Sequence, residues 1–253
     1  MSLKGKTTVI TGGAQGIGKA IGMRLARDGA NIGILDLKKE IADKTAKEIT
    51  ALGVRAVAIQ CDATDYAQVK GGVAKIKQEC GSIDILINNA GIDVSQFFVD
   101  TDQSLWDKII NVNYKSFLIA SHVCIPYMME QKSGNIVSLG SDAGRIGNSG
   151  EVLYCGTKAA IMSSSKALAR ELSRYNIRVN CVSPGPVQTE LLDGLHGGEK
   201  GKQIMERVAK MIPLKRIGTP EDVADVVAFF VGDDSRYLTG QVLSVDGGLT
   251  MIG

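Results

Sequence analysis

Between positions 134 and 158 stand three side chains whose types, brought together, can move a proton to or from a carbon-bound oxygen. Tyr154 and Lys158 are four residues apart, so a helix places them on one face, a single turn from each other. Ser141 follows a short apolar run, Ile-Val-Ser-Leu at 136–139, that reads as a buried strand. A polar side chain at such a strand end can point into a crevice at the carboxyl edge of a sheet. A free phenol has a pKa of about 10, too high to trade protons easily at neutrality. A fixed ammonium nearby favours the phenolate and is expected to bring that value down. The Ser141 hydroxyl can hydrogen-bond a carbonyl or alcohol oxygen held beside the phenol. The trio can then protonate a carbonyl as hydride arrives, or deprotonate an alcohol as hydride leaves. The same residues also fit a helix anchor, a solvated lysine and a turn serine, and a lone Y-x-x-x-K pair does not decide between the two.

The elements that must position this trio read as alternating strands and helices. A β-rich run at 7–11 leads at once into Gly12-Gly13-Ala14-Gln15-Gly16-Ile17-Gly18, and an amphipathic helical pattern continues to about residue 28. Strand, glycine turn and helix in that order suit a phosphate-binding loop, because backbone N–H groups at the helix start can receive a pyrophosphate. The spacing is G-x3-G-x-G, a weak signal alone, since glycine turns also serve packing. A second strand at 31–35 ends at Asp36, whose carboxylate can accept from both adenosine ribose hydroxyls and repel a 2′-phosphate. Leu37 follows, and neither it nor Gln15 offers a cation to a 2′-phosphate, so the cofactor reading is NAD; Lys38 and Lys39 are the nearby cations that could reach one.

Further strands are expected at 55–60, 83–87, 136–139, 177–182 and 240–245, and helices at 39–52, 66–80, 103–130, 152–174 and 221–231. Asp62, with Ala63, ends one strand and can meet an adenine amino group or cap the helix that starts near Asp65. Asn88 and Asn89 can tie neighbouring loops together, while Ala90 and Gly91 leave room for a cofactor against the backbone. Asn113 lies mid-helix, where asparagine is unfavourable, which invites either a site role or a kink. Segment 187–216 is loose and Gly-rich, a pattern that fits either a mobile lid or a plain surface loop. About seven strands alternating with helices, with no linker-like shift and no internal repeat, imply one domain over 1–253. Its fold class is α/β: a Rossmann-like, doubly wound parallel sheet with helices on both faces.

Composition narrows the function. The chain has 253 residues, 44% hydrophobic and 22% charged, with a formal charge of +2 and no basic block, so nucleic-acid binding has no support. No apolar run approaches bilayer length and the start carries no signal core, which points to a cytoplasmic protein with no membrane partner. The five cysteines form no C-x-x-C pair and there are two histidines, so neither a zinc site nor a disulfide framework is expected. Cys155, beside Tyr154, reads more readily as a packed thiol than as a nucleophile.

Taken together, Gly12 to Gly18, Asn88-Asn89-Ala90-Gly91, Asn113, Ser141 thirteen positions before Tyr154, Tyr154-Cys155-Gly156-Thr157-Lys158, and Pro184-Gly185 with Thr189 resemble the classical short-chain dehydrogenase/reductase family over nearly the whole chain. The resemblance implies Tyr154 as acid/base, Lys158 as nicotinamide-ribose ligand and modulator of the phenol, Ser141 as substrate-orienting hydroxyl and Asn113 as support for a proton-relay water. It also implies cofactor contacts from Gly12, Gln15, Gly16, Ile17, Gly18, Asp36, Leu37, Asp62, Ala63, Asn89, Ala90, Gly91, Tyr154, Lys158, Pro184, Gly185, Val187 and Thr189, and a homotetramer. The loop 141–151 and the C-terminal segment 240–251 are similar to hydroxyacyl-CoA dehydrogenases of anaerobic aromatic degradation, 2-hydroxycyclohexanecarboxyl-CoA dehydrogenase among them. That likeness implies NAD-dependent oxidation of a β-hydroxyacyl-CoA thioester, cyclic or aromatic. Lys200, Lys202, Lys210, Lys215 and Arg216 would then meet CoA phosphates, and Arg145 a substrate carboxylate. The alternatives are an NADPH-dependent 3-oxoacyl-carrier-protein reductase and a catalytically silent subunit of a hetero-oligomer.

Overall fold

The computed structural model describes residues 2–189 and 198–252. Seven strands, β1 (Thr7–Thr11), β2 (Asn31–Asp36), β3 (Ala56–Gln60), β4 (Ile85–Asn88), β5 (Gly134–Leu139), β6 (Ile177–Pro184) and β7 (Val242–Val245), form one parallel sheet in the order 3-2-1-4-5-6-7. The helices are α1 (Gly16–Arg27), α2 (Lys39–Thr50), α3 (Tyr66–Cys80), α4 (Gln103–Ile109), α5 (Ser116–Gln131), α6 (Ala143–Ile146), α7 (Val152–Leu172), α8 (Gly198–Met211) and α9 (Pro220–Val231). None of these is long and apolar enough to cross a membrane.

Strand pleating explains the two-sided core. Successive side chains point to opposite faces, so the continuous apolar runs bury both. Ile10, Ile85 and Ile87 pack with Ile21 and Leu25 of α1, Ile49 of α2 and Val227 and Phe230 of α9. Val9, Leu86 and Ile136 turn the other way, onto Val73 and Ile76 of α3, Val123 and Met128 of α5 and Leu172 of α7. Each such side chain contributes roughly 1.5–3 kcal/mol of burial free energy. The strand order reverses between β1 and β4, and at that switch point the carboxyl ends of the strands open a crevice.

Two expectations about the elements change. The single helix predicted over 103–130 is two helices joined by a π-helical turn, Ile110–Lys115, which carries Asn113. The misfit of asparagine in a regular helix is relieved by this wider turn, a feature found often at functional sites. The predicted helix cap is Asp65 and not Asp62: the Asp65 carboxylate accepts from the Ala67 and Gln68 N–H groups at 2.8 and 3.0 Å. Asp62 instead holds Thr64, accepting from its N–H and hydroxyl, both at 2.8 Å. Within the expected lid, residues 190–197 lie outside those described, and the next stretch forms α8.

Candidate active site

A cavity of about 870 Å³ runs along the carboxyl edge of the sheet, within the size range of small-molecule sites. Gly12, Gln15, Gly16, Ile17, Asp36, Leu37, Asp62, Ala63, Asn89, Ala90, Gly91, Ser141, Tyr154, Lys158, Pro184, Gly185, Val187 and Thr189 all line it. Gly18 and Asn113 do not; both stand behind its wall.

At one end the wall is glycine backbone. Gly12 and Gly16 have φ of +67° and +54°, a region that glycine enters without strain. A Cβ on Gly18 would lie 2.2 Å from the Gly12 carbonyl oxygen, so only glycine lets α1 approach the β1 turn. Gln15, at the N-cap of α1, makes no side-chain cap, which leaves the first N–H groups of the helix for a ligand anion. Asn89 braces the turn from beneath, its amide donating to the carbonyls of Thr11 at 3.1 Å and Gly12 at 2.8 Å. Asn88 ties β4 to its neighbours through Ser121 and Ser138, both at 3.2 Å, so the two asparagines do link adjacent segments. Asp36 accepts from the N–H groups of Ala14 at 3.0 Å and Lys38 at 2.9 Å, which fixes its carboxylate at the rim. Lys38 also lines the cavity, and its ammonium donates to the Gln15 side chain at 3.2 Å.

At the other end, α7 brings Tyr154 and Lys158 to the same wall as Ser141, which follows β5. The Lys158 side chain is buried, with Nζ 2.9 Å from the Leu139 carbonyl oxygen and 5.5 Å from the centre of the Tyr154 ring. Asn113 is fully buried and its carboxamide grips Ile92 at both ends: Oδ1 accepts from the Ile92 N–H at 2.8 Å, and Nδ2 donates to the Ile92 carbonyl at 2.9 Å. Nδ2 also donates to the Thr157 hydroxyl at 3.2 Å. A Cβ on Gly91 would stand 3.4 Å from both Asn113 Oδ1 and Lys158 Nζ, so this glycine leaves the place between them open.

The electrostatics correct one expectation. Tyr154 is not brought toward neutrality. Burial pushes its phenol above the ordinary value, a hydrogen bond with Ser141 pulls the other way, and Asp93, Glu151 and Cys155 add to the rise. Desolvating a phenolate outweighs the nearby ammonium. Lys158 feels the same burial in reverse and falls to about 8, with Cys181 and Asp93 opposing the fall. The neutral phenol is therefore the resting form, and a neutral phenol is a proton donor.

Other predicted contacts resolve differently. Arg145 does not line the cavity; its guanidinium donates to the Ser244 hydroxyl at 2.8 Å, and Ser244 in turn donates to Asp142 at 2.6 Å. Arg216 is spent on Asp222, at 2.5 and 2.7 Å, and Lys215 donates to the Lys210 carbonyl at 2.8 Å. Of the basic residues expected to meet CoA phosphates, the side chains of Lys200 and Lys202 lie outside those described. Cys155 accepts from the Asn148 N–H at 3.3 Å, and burial raises its pKa, so it is no thiolate. Among the cavity residues that the sequence does not mark are Asp93 and Glu151. Both sit in loops, where no periodicity marks which way a side chain points.

Residues 12–250 match the family model described as enoyl-(acyl carrier protein) reductase. The 3-oxoacyl-[acyl-carrier-protein] reductase FabG of Thermotoga maritima is 40% identical, with 99% of this chain and 100% of that protein covered. A short-chain type dehydrogenase/reductase from Mycobacterium marinum superposes with a TM-score of 0.93 at 32% identity, covering 99% and 98% of the two chains. A 3-oxoacyl-[acyl-carrier protein] reductase from Brucella melitensis, solved with bound NAD, gives 0.90 at 32%, covering 99% and 93%. The chain belongs to the short-chain dehydrogenase/reductase family of oxidoreductases, which act with a nicotinamide cofactor.

Proposed function

We propose that the protein is an NADH-dependent reductase of 3-oxoacyl thioesters, forming the β-hydroxyacyl thioester. The observation that carries this reading is that Tyr154, Lys158 and Ser141 line the same cavity as the glycine turn and Asp36. The FabG relative and the NAD-bound reductase act on the same substrate class by their names, which supports it. The oxidation of a cyclic or aromatic hydroxyacyl-CoA, which the resemblance implied, has less support, because the similar proteins are named as 3-oxoacyl-[acyl-carrier-protein] reductases.

The cavity suits a dinucleotide: glycine backbone and uncapped N–H groups for a pyrophosphate, and a fixed carboxylate for a ribose diol. When bound, the nicotinamide supplies hydride. Asp36 favours NADH, because a 2′-phosphate would face its charge. On the protein side, Ser141 holds the ketone oxygen and Tyr154 gives it the phenolic proton. The Lys158 ammonium then stabilises the phenolate left behind. Asn113 fixes Ile92 and, with Gly91, keeps open a place for a water that returns the proton. Val208, Ile204 and Met205 of α8 line the cavity opposite, as a substrate lid at this part of the chain would require.

The test is steady-state reduction of straight-chain, cyclic and aromatic 3-oxoacyl thioesters with each cofactor. At least one thioester should turn over, with kcat/KM for NADH about tenfold or more above NADPH. A clear NADPH preference would refute the cofactor assignment, and no turnover of any thioester would refute the substrate class.

A further inference from the structure

We propose that Asp93, reinforced by Glu151, makes the substrate end of the cavity a charge filter that admits esters and thioesters of 3-oxo acids and refuses the free carboxylates. The inference rests on the reductase reading above and adds a specificity-determining residue to it.

Asp93 lies two residues beyond Gly91, at the start of the loop after β4. The preceding residue, Ile92, is clamped through both backbone groups by Asn113, so the Asp93 backbone is held firmly. From the far side the loop packs on the segment ahead of α7, where the Gln96 N–H donates to the Gly150 carbonyl at 2.8 Å. A Cβ on Gly150 would stand 3.2 Å from the Ser95 hydroxyl, so the two segments meet closely. Between them Asp93 and Glu151 both line the cavity beside Tyr154. Glu151 accepts from the Asn148 amide at 3.0 Å, whereas Asp93 Oδ1 is buried without a hydrogen-bond partner. A buried carboxyl in that state is normally explained by a function.

The charges at this end are lopsided. Lys158 is the one cation lining it among the described residues, against the carboxyls of Asp93, Asp142 and Glu151. Arg145 is turned away onto Ser244. A substrate whose first carbon is a carboxylate would bring another anion into a cavity of low effective dielectric, where like charges repel far more than in water. An ester or thioester presents the same carbon uncharged. The groups facing Asp93 are Glu151 ahead of α7, and Tyr154, Cys155 and Lys158 on α7. Burial, then repulsion from Glu151, raises Asp93 to about 6, with the Val94 N–H and Lys158 opposing. The filter therefore weakens as pH falls through that value.

Ethyl acetoacetate and acetoacetate form a matched pair that differs in this charge. The ratio of kcat/KM for ester over acid, taken on one preparation, is insensitive to the fraction of protein folded. The intact protein should favour the ester by about a hundredfold at pH 7.5, and D93N and E151Q should each cut that ratio by about tenfold. Between pH 7.5 and 5.5, where acetoacetate stays ionised, the ratio should shrink in the intact protein and hold steady in D93N. Ester turnover with a ratio unmoved by either variant overturns the filter alone. An ester refused while 3-oxoacyl thioesters turn over also overturns the filter, and failure to reduce ester and thioesters alike overturns the reductase reading with it.

Discussion

Burying an ammonium is costly, and at Lys158 that cost is met by a single carbonyl, Leu139, together with the face of the Tyr154 ring. The price shows in its pKa of about 8. Raising the pH through that value removes the charge proposed to stabilise the phenolate left after proton transfer, while the phenol itself, pushed above its ordinary value, stays protonated. We therefore expect kcat/KM for reduction to hold level from pH 6.5 to 7.5 and to fall as pH passes about 8, in steady-state profiles with a neutral ketone. A level profile to pH 9.5 would contradict this use of Lys158. Tyr154, Lys158 and Ser141 were legible because a four-residue spacing and a strand end dictate direction. Asp93 and Glu151 were not, since loop residues have no such rule, and the direction of the phenol shift was missed because burial is a tertiary property.

The elements that carry these groups were legible to different degrees. Long periodic segments such as α1, α3 and α7 declare themselves through apolar spacing, and the central strands through unbroken Val/Ile runs. Boundaries shift by a residue or two, as at β3, β4 and β7, because a strand end is defined by its partner's register. The break between α4 and α5 was visible only as a misplaced asparagine. Propensity marks a residue unsuited to a regular turn, but the widened turn that rehouses it depends on Ile92 and Thr157, distant in sequence. That turn is what directs Asn113 inward, onto Ile92 behind the cavity wall, instead of toward solvent.

At the scale of the whole molecule, the strand reversal between β1 and β4 makes one continuous cavity out of loops scattered along the chain. The outer surface keeps large apolar side chains exposed, among them Leu118 on α5, Phe229 on α9 and Tyr237. A homotetramer would cover such faces, and light scattering should return the mass of four chains; a stable single chain at micromolar concentration would exclude it. Dinucleotide and ketone are proposed to meet in that one cavity at Tyr154. Tyr154→Phe removes the proposed proton donor and leaves the glycine turn and Asp36 untouched. NADH titrated by fluorescence should bind the variant within about threefold of the intact protein, while kcat for 3-oxoacyl thioester reduction should fall by about a thousandfold or more. Undiminished turnover with NADH still bound would contradict the account.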